Sequence, residues 1–150
     1  MEISIASSND ISELCTLLNS LFNQEAEFVP DRQTQTIGLA AVINGSEAGD
    51  ILVAREDGEI VGTMNLLYTV STALGTRVAL LEDMVVFPNR RGQGIGSTLI
   101  RHAVKSAKEK GCTRITLLTD GDNEEAQRFY KRHGFSRSPM IAFRMSLDDK

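Results

Sequence analysis

The sequence predicts an α/β (α+β) fold in one domain, a single mixed, mostly antiparallel sheet with helices on both of its faces. Strand-like runs in the first half are joined by short turns, and one of these turns is the hairpin signal Asp57-Gly58. Strand-like and helix-like segments alternate in the second half, which is typical of a sheet covered by helices. No linker, repeat or low-complexity segment divides the 150 residues. We therefore expect residues 1–150 to form a single domain.

Apolar periodicity, capping residues and turn residues place the individual elements. Strands are assigned where apolar residues alternate or run together, and helices where they recur every three or four positions. The expected elements are a strand at Ile3–Ile5, a helix from Ser8 or Asn9 to about Phe22, a loop at Asn23–Arg32, a helix at Thr34–Asn44 that ends at Gly45, strands at Asp50–Arg55, Glu59–Val70 and Arg77–Phe87, a helix at Gly94–Lys110, a strand at Arg114–Thr119, a helix from its cap Asn123 to Gly134, and a terminal strand at Met140–Leu147.

Composition excludes several classes of function. A net charge of −4 argues against non-specific binding to nucleic acid, which requires a basic face. Cys15 and Cys112 are too few for a disulfide framework, and we expect both to be buried. No cluster of His, Cys or Asp has metal-ligand spacing, so no metal site is expected. No signal peptide or membrane-spanning run is visible, which favours a cytoplasmic protein without membrane partners.

One stretch combines buried acids with a glycine-rich turn. The apolar run Ala79–Val86 contains Glu82 and Asp83 in its middle, and carboxylates in a buried strand are costly unless they are paired or used. Gly92, Gly94 and Gly96 follow at alternate positions around the start of a helix at Ile95. Glycine lets backbone amides approach a ligand closely, and a helix N-terminus adds free donors and a partial positive charge. The stretch is therefore a candidate cradle for a phosphate group.

Three interpretations of this stretch remain open at this level. A buried strand, a turn and a helix without any ligand would produce the same pattern. A dinucleotide-binding fingerprint would gain from Asp120 at the end of the next strand, but Ser97 stands where that fingerprint has its third glycine. The third interpretation is the acyl-coenzyme A pyrophosphate loop Arg/Gln-x-x-Gly-x-Gly/Ala, which Arg91, Gly94 and Gly96 match.

Several motifs in the right order resemble the GNAT superfamily of acyl-coenzyme A-dependent N-acetyltransferases. They are Leu81-Glu82-Asp83, the loop Arg91–Gly96, the strand Ile115–Leu118 and the run from Asn123 to Phe135, which follows the pattern Asn-x-x-Ala-x-x-Phe-Tyr-x-x-x-Gly-Phe. The resemblance covers essentially the whole chain. It implies a sheet that splays open between the strands Arg77–Phe87 and Arg114–Thr119, with acetyl-CoA as the co-substrate bound in that opening.

The resemblance also implies which residues hold acetyl-CoA. Val85 and Val86 would offer strand backbone to the pantetheine arm. Amides of Gln93, Gly94 and Gly96 would hold the pyrophosphate. Two further residues are implied: Arg91, which would shape the loop or meet a phosphate, and Asn123, which would contact the pantetheine arm in addition to capping its helix.

Chemistry suggests roles for three more residues. A free alkylamine is mostly protonated at neutral pH, so a base must remove a proton before the nitrogen attacks the thioester. Glu82 lies among Leu80, Leu81 and Met84, and apolar walls should raise the proton affinity of its carboxylate. Strand alternation predicts that Asp83 points to the opposite face, where it would either orient the substrate ammonium or cap a backbone group. The Tyr130 hydroxyl is expected to donate a proton to the departing sulfur.

The amine that would accept the acetyl group is the least determined part of this interpretation. Glu25, Glu27 and Asp83 suggest a cationic small-molecule amine, and the absence of cysteine from the motif positions favours direct transfer. Protein N-termini or lysines remain alternative acceptors, and a non-catalytic acyl-CoA sensor is an alternative function. The resemblance is also compatible with a homodimer.

Overall fold

The structure is a computed structural model that describes residues 1–22, 31–45 and 47–148. The chain divides into two compact units, Met1–Leu118 and Thr119–Lys150, and each is described by itself. Within the described residues, none of the helices combines the length and the apolar character needed to cross a bilayer.

The first unit contains a five-stranded sheet in the order β1-β2-β3-β4-β5. The first four strands pair antiparallel with their neighbours, and β4 pairs parallel with β5. This arrangement confirms the predicted mixed, mostly antiparallel sheet. The strands are β1 at Glu2–Ile5, β2 at Gly49–Glu56, β3 at Glu59–Ser71, β4 at Thr76–Val86 and β5 at Cys112–Leu117.

The helices described in the first unit are α1 at Ile11–Phe22, α2 at Arg32–Asn44 and α3 at Ile95–Glu109, and α2 and α3 have residues suited to their ends. Asp31 caps the N-terminus of α2, since its carboxylate accepts hydrogen bonds from the backbone amides of Gln33 and Thr34. Gly94 precedes the first turn of α3 in a left-handed conformation, and Gly111 follows its end with a φ of 83°. Short 3-10 turns lie at Ser8–Asp10 and Pro88–Arg90.

The two faces of the sheet pack against different helices. Leu14, Leu17 and Leu18 of α1 belong to one buried cluster with residues from β2, β3 and β4, among them Val53 and Val85. On the other face α3 comes so close to β3 that a Cβ at Gly62 would lie 3.1 Å from the Ile95 side chain. Burying apolar side chains on both faces is the main force that holds this sheet between its helices.

The ladder between β4 and β5 ends before β4 does. Its last pair joins Leu81 to Leu117, whereas β4 continues to Val86 and remains paired there with Gly62 of β3. The stretch Glu82–Val86 therefore pairs with β3 alone within the sheet. This is the position at which the sequence resemblance predicted that the sheet opens.

The second unit contains α4 at Glu124–Arg132, and aromatic rings pack around it. The Phe129 ring centroid lies 5.4 Å from that of Tyr130 and 4.8 Å from that of His133. The Tyr130 ring also contacts Phe135, at 5.7 Å. These contacts are local, because the paired rings lie at most five residues apart in the sequence.

The predicted terminal strand at Met140–Leu147 was wrong. The structure gives these residues no regular secondary structure, and Ile141, Phe143 and Met145 are 79–89% exposed. Alternating apolar residues fit a strand, but a strand also needs a neighbour to complete its backbone hydrogen bonds. The amide of Met140 donates instead to the side chain of Ser138, 3.1 Å away.

Two glycine-to-alanine substitutions, one at the contact and one away from it, test how closely α3 packs on the sheet. We expect Gly62→Ala to destabilise the protein by about 1–3 kcal/mol, because the new methyl group would press against Ile95 and Leu99, at 3.1 and 3.2 Å. Gly38→Ala in α2 serves as the matched control, since a Cβ there meets no atom within 4 Å. Alanine favours helix formation, so this control should stabilise by about 0.5–1 kcal/mol. Chemical denaturation measures both values, and equal effects would contradict the close packing.

Candidate active site

An irregularity in β4 places the two strand acids. Asn65 of β3 pairs with Glu82 and Thr63 pairs with Val85, so Asp83 and Met84 together oppose a single residue of β3. Two residues against one is a β-bulge, which re-aims side chains locally. Asp83 accordingly has a positive φ of 52°, a conformation that aspartate tolerates better than most residues.

The bulge corrects the prediction that Asp83 points away from Glu82. Asn65 lies opposite Glu82 and therefore shares its face of the sheet. The Nδ2 group of Asn65 donates a hydrogen bond to the Asp83 carboxylate at 3.1 Å. Simple alternation fails here because the extra residue shifts the pattern by one position. Glu82 and Asp83 consequently line the same pocket.

This pocket lies between the sheet and the first two helices and has a volume of about 350 Å³. Its apolar wall contains Leu18 of α1, Leu39 of α2 and Leu67 of β3. The full lining is Leu18, Asp31, Thr34, Gln35, Gly38, Leu39, Val42, Asn65, Leu67, Glu82 and Asp83. A cleft with one apolar wall and a few convergent polar groups is the usual form of a small-molecule site.

The expectation that apolar walls enclose Glu82 was wrong. Its side chain is exposed, because the bulge directs it into the open pocket, away from the apolar neighbours in its strand. Its carboxylate makes no hydrogen bond or ion pair with any other residue in the described part of the chain. An unengaged carboxylate in an open pocket can accept a proton from a bound amine or from water.

The glycine-rich loop adopts the conformation that its glycines permit. Gly92 and Gly94 have φ values of 78° and 82°, a region that other residues rarely occupy. The first hydrogen bond of α3 runs from the amide of Thr98 to the carbonyl of Gly94, at 3.0 Å. Amides that precede it, including that of Gly96, lack an acceptor one turn back within the helix. Gln93 lies exposed between the two glycines.

Arg91 fixes the loop to the sheet. Its Nε donates a hydrogen bond to the carbonyl of Val86 at 3.1 Å. Val86 is the last residue of β4, and Val85 before it is almost fully buried. Of the two roles expected for Arg91, shaping the loop is therefore visible in the structure, and contact with a phosphate remains a prediction.

Asn123 and Tyr130 belong to the second unit. The Oδ1 atom of Asn123 accepts a hydrogen bond from the amide of Ala126 at 3.1 Å, which confirms its predicted role as the cap of α4. Tyr130 is partly buried, and this loss of hydration raises the pKa of its phenol. The pantetheine contact of Asn123 and the acid role of Tyr130 remain predictions.

Four polar residues of the pocket lining were not identified from the sequence: Asp31, Thr34, Gln35 and Asn65. Asn65 positions Asp83 through its hydrogen bond. Asp31 both caps α2 and lines the pocket. The side chain of Gln35 is buried at the pocket wall and is only 8% exposed. A signal existed for Asn65, since an amide within the apolar run of β3 is unusual. Glu25 and Glu27, the other predicted acceptor contacts, lie outside the described residues.

The described ranges 1–22, 31–45 and 47–148 contain no cluster of metal-ligating side chains. No group of three or more His, Cys, Asp or Glu residues there has the geometry to hold an ion. His102 interacts with its own helix, since its Nδ1 lies 3.0 Å from the carbonyl of Thr98.

Known proteins share both the sequence pattern and the fold. The N-acetyltransferase YhfO of Bacillus subtilis, itself uncharacterized, is 34% identical over 118 residues, 77% of this chain and 78% of YhfO. The aminoalkylphosphonate N-acetyltransferase of Salmonella typhimurium is 28% identical over 137 residues, 91% of this chain and 86% of that protein. A solved structure described as a probable acetyltransferase aligns with this protein over 100% of each chain, with a TM-score of 0.86 at 24% sequence identity.

The family model described as "Acetyltransferase (GNAT) family" matches residues 12–135, which include the strand acids, the glycine-rich loop and α4. This chain belongs to the GNAT family of acetyltransferases.

Proposed function

We propose that the protein transfers the acetyl group of acetyl-CoA directly to a primary amine of a small molecule. The observation that supports this most is the pairing of two features at the end of β4: an acid-lined pocket and a glycine-rich loop that opens α3. The Salmonella relative, named for its action on aminoalkylphosphonates, supports an amine as acceptor. The family match runs through both units, so we propose that they serve as one acetyltransferase domain.

The loop suits the pyrophosphate of acetyl-CoA. Backbone amides at a helix N-terminus bind anions through hydrogen bonds and through the helix dipole. A Cβ at Gly92 or Gly94 would meet no atom within 4 Å, so the positive φ values, and not crowding, require glycine there. The backbone of Val85 and Val86, beyond the ladder with β5, would receive the pantetheine arm, and Asn123 would contribute a further contact.

Glu82 is the proposed base. It would remove a proton from the substrate ammonium, directly or through a water molecule, and leave a neutral nitrogen. That nitrogen forms the new N–C bond while the C–S bond of the thioester breaks. Asp83, held by Asn65, would orient the incoming amine.

Tyr130 is the proposed acid. Its raised pKa keeps the phenol protonated at neutral pH, so that it can donate its proton to the departing sulfur. Direct transfer requires no acyl-enzyme, and the burial of Cys15 and Cys112 is consistent with this, because neither thiol is presented at the surface.

Acetyl-CoA should raise the melting temperature of the protein, because a ligand stabilises the folded state that binds it. Gly94→Val should abolish this shift by forcing a β-branched residue into a positive φ. Gly111→Val is the matched control, since it imposes the same strain at the other end of α3, where φ is 83°. Both variants should lose similar stability without ligand. A thermal shift retained in Gly94→Val would argue against the loop as the phosphate site.

Tyr130→Phe should lower kcat by about 10²–10⁴-fold and leave the KM for both substrates nearly unchanged, because only one proton donor is lost. Tyr68→Phe provides the control, since Tyr68 is the other of the two tyrosines and its hydroxyl donates to Asp50 at 2.6 Å. Release of coenzyme A measures the rates. An equal loss of activity in both variants would refute the assignment of the acid to Tyr130.

Glu82→Gln should move the remaining activity to higher pH, where the solvent itself supplies free amine. In the wild-type protein the base lets the bound ammonium react at pH values where free amine is scarce, and the variant should lose this low-pH activity. A pH–rate profile of kcat/KM between about pH 5 and 10 checks the prediction. If the profile keeps its wild-type shape, Asp83 or water is the next candidate for the base.

A further inference from the structure

The C-terminal segment, residues 140–147, has the pattern of a two-faced strand although it lies outside the sheet. In an extended chain, alternation would put its large apolar side chains on one face and Ala142, Arg144 and Ser146 on the other. The apolar face consists of Ile141, Phe143, Met145 and Leu147. All four side chains are 79–89% exposed, and the segment pairs with no strand in the described part of the chain. Contiguous exposed apolar surface of this kind marks an interaction site.

The outer edge of β5 offers a strand with a matching pattern. Within the described residues, β5 is the last strand of the sheet and pairs with β4 alone. Ile115 and Leu117 are half-buried on one of its faces, whereas Arg114 and Thr116 are exposed on the other. A strand added at this edge would continue both faces, with apolar side chains beside apolar ones and polar beside polar.

The sheet has a second edge strand, β1, which suits the segment less well. β1 contains four residues, whereas β5 contains six. An eight-residue segment can therefore form a longer ladder of backbone hydrogen bonds with β5 than with β1.

Two copies of the chain would complete both features at once. Among the described residues of one chain, the C-terminal segment and the outer edge of β5 both lack a strand partner. If each copy places its segment on β5 of the other, one two-fold axis completes both pairs, and two-fold symmetry is the commonest in protein dimers. A strand from an unrelated protein would complete only one of them. Reciprocity thus favours a second copy as the partner.

The apolar surface involved is large enough for a stable dimer. Each copy would bury the four side chains of its apolar face, and at about 100 Å² for each side chain the two copies supply roughly 800 Å². With the surface that these side chains cover on the partner, the total reaches roughly 1,600 Å², the size of a standard specific interface.

We propose that residues 140–147 pair with the outer edge of β5 in a second copy of this chain, and that exchange of these segments forms a symmetric dimer. The sheet of each copy then gains a sixth strand from its partner. Backbone hydrogen bonds hold the added strand, and the alternating side chains fix its register. The inference goes beyond the proposed acetyl transfer and does not depend on it.

The mass of the full chain in solution tests the dimer, measured by light scattering after gel filtration. The wild-type protein should have twice the 16.4 kDa mass of one chain. Phe143→Asp and Met145→Asp each place a charge on the apolar face, and each should reduce the mass to that of one chain. Ala142→Asp is the matched control, because it places the same charge in the same segment on the opposite face, and it should remain a dimer.

The fold of a single chain should survive these substitutions. Phe143 is 89% exposed and Met145 is 83% exposed, so neither side chain contributes to the core of one copy. Circular dichroism should give the same secondary structure for both variants as for Ala142→Asp. A change of mass then reports on the interface alone.

Amide hydrogen exchange, resolved by peptide, locates the contact. The backbone amides of the C-terminal segment and of β5 should both be protected in the wild-type protein, and both should exchange faster in Phe143→Asp. Exchange in β1 should not change. Faster exchange in β1, with β5 unaffected, would overturn the choice of edge.

Three other results would overturn the inference. The wild-type protein could have the mass of one chain at every concentration measured. The dimer could persist in both Phe143→Asp and Met145→Asp, which would place the interface elsewhere. The segment could be protected in a protein that has the mass of one chain, which would show that it pairs within its own copy.

Discussion

One extra residue in β4 determines the geometry of the candidate site. Because Asp83 and Met84 oppose a single residue of β3, Glu82 and Val85 share the face that packs against α1. Val85 contributes to the core there, while Glu82 reaches the pocket beside it. The positive φ of Asp83 costs some backbone energy. Burial of the flanking strand residues and the hydrogen bond from Asn65 oppose this cost and hold the irregularity in place.

The side chains and the backbone edge of β4 are suited to different kinds of ligand. Side chains of β4 face the pocket, whereas its backbone edge beyond Leu81 is no longer used by β5. Side-chain carboxylates suit a cation, and a strand edge and the amides of a helix N-terminus suit an extended, anionic ligand. Arg91 connects the two regions, because it joins the glycine-rich loop to the last carbonyl of β4. Movement of the loop is therefore tied to the end of this strand.

The sequence was informative wherever a local rule decides the structure. Helix caps, the Asp57-Gly58 turn and the apolar periods predicted most elements, and the long Asn123–Phe135 pattern predicted the family. Sequence reasoning missed the bulge, because an acid within an apolar run does not reveal an extra residue; only the pairing with β3 shows the extra position. It also missed Asp31 and Gln35, which reach the pocket through the packing of α2 against the sheet. The segment Met140–Leu147 shows the reverse error, since it has a strand pattern without a strand.

The burial of both cysteines has a practical consequence for work on this chain. Cys15 is fully buried, and burial raises the pKa of the Cys112 thiol, so little reactive thiolate is presented at the surface. Thiol-specific dyes will then detect thiols released into solution against a low background from the protein itself. The rate at which these two cysteines are labelled should measure transient opening of the core, because each side chain must reach solvent before it reacts. The two cysteines therefore report on local opening of the folded protein.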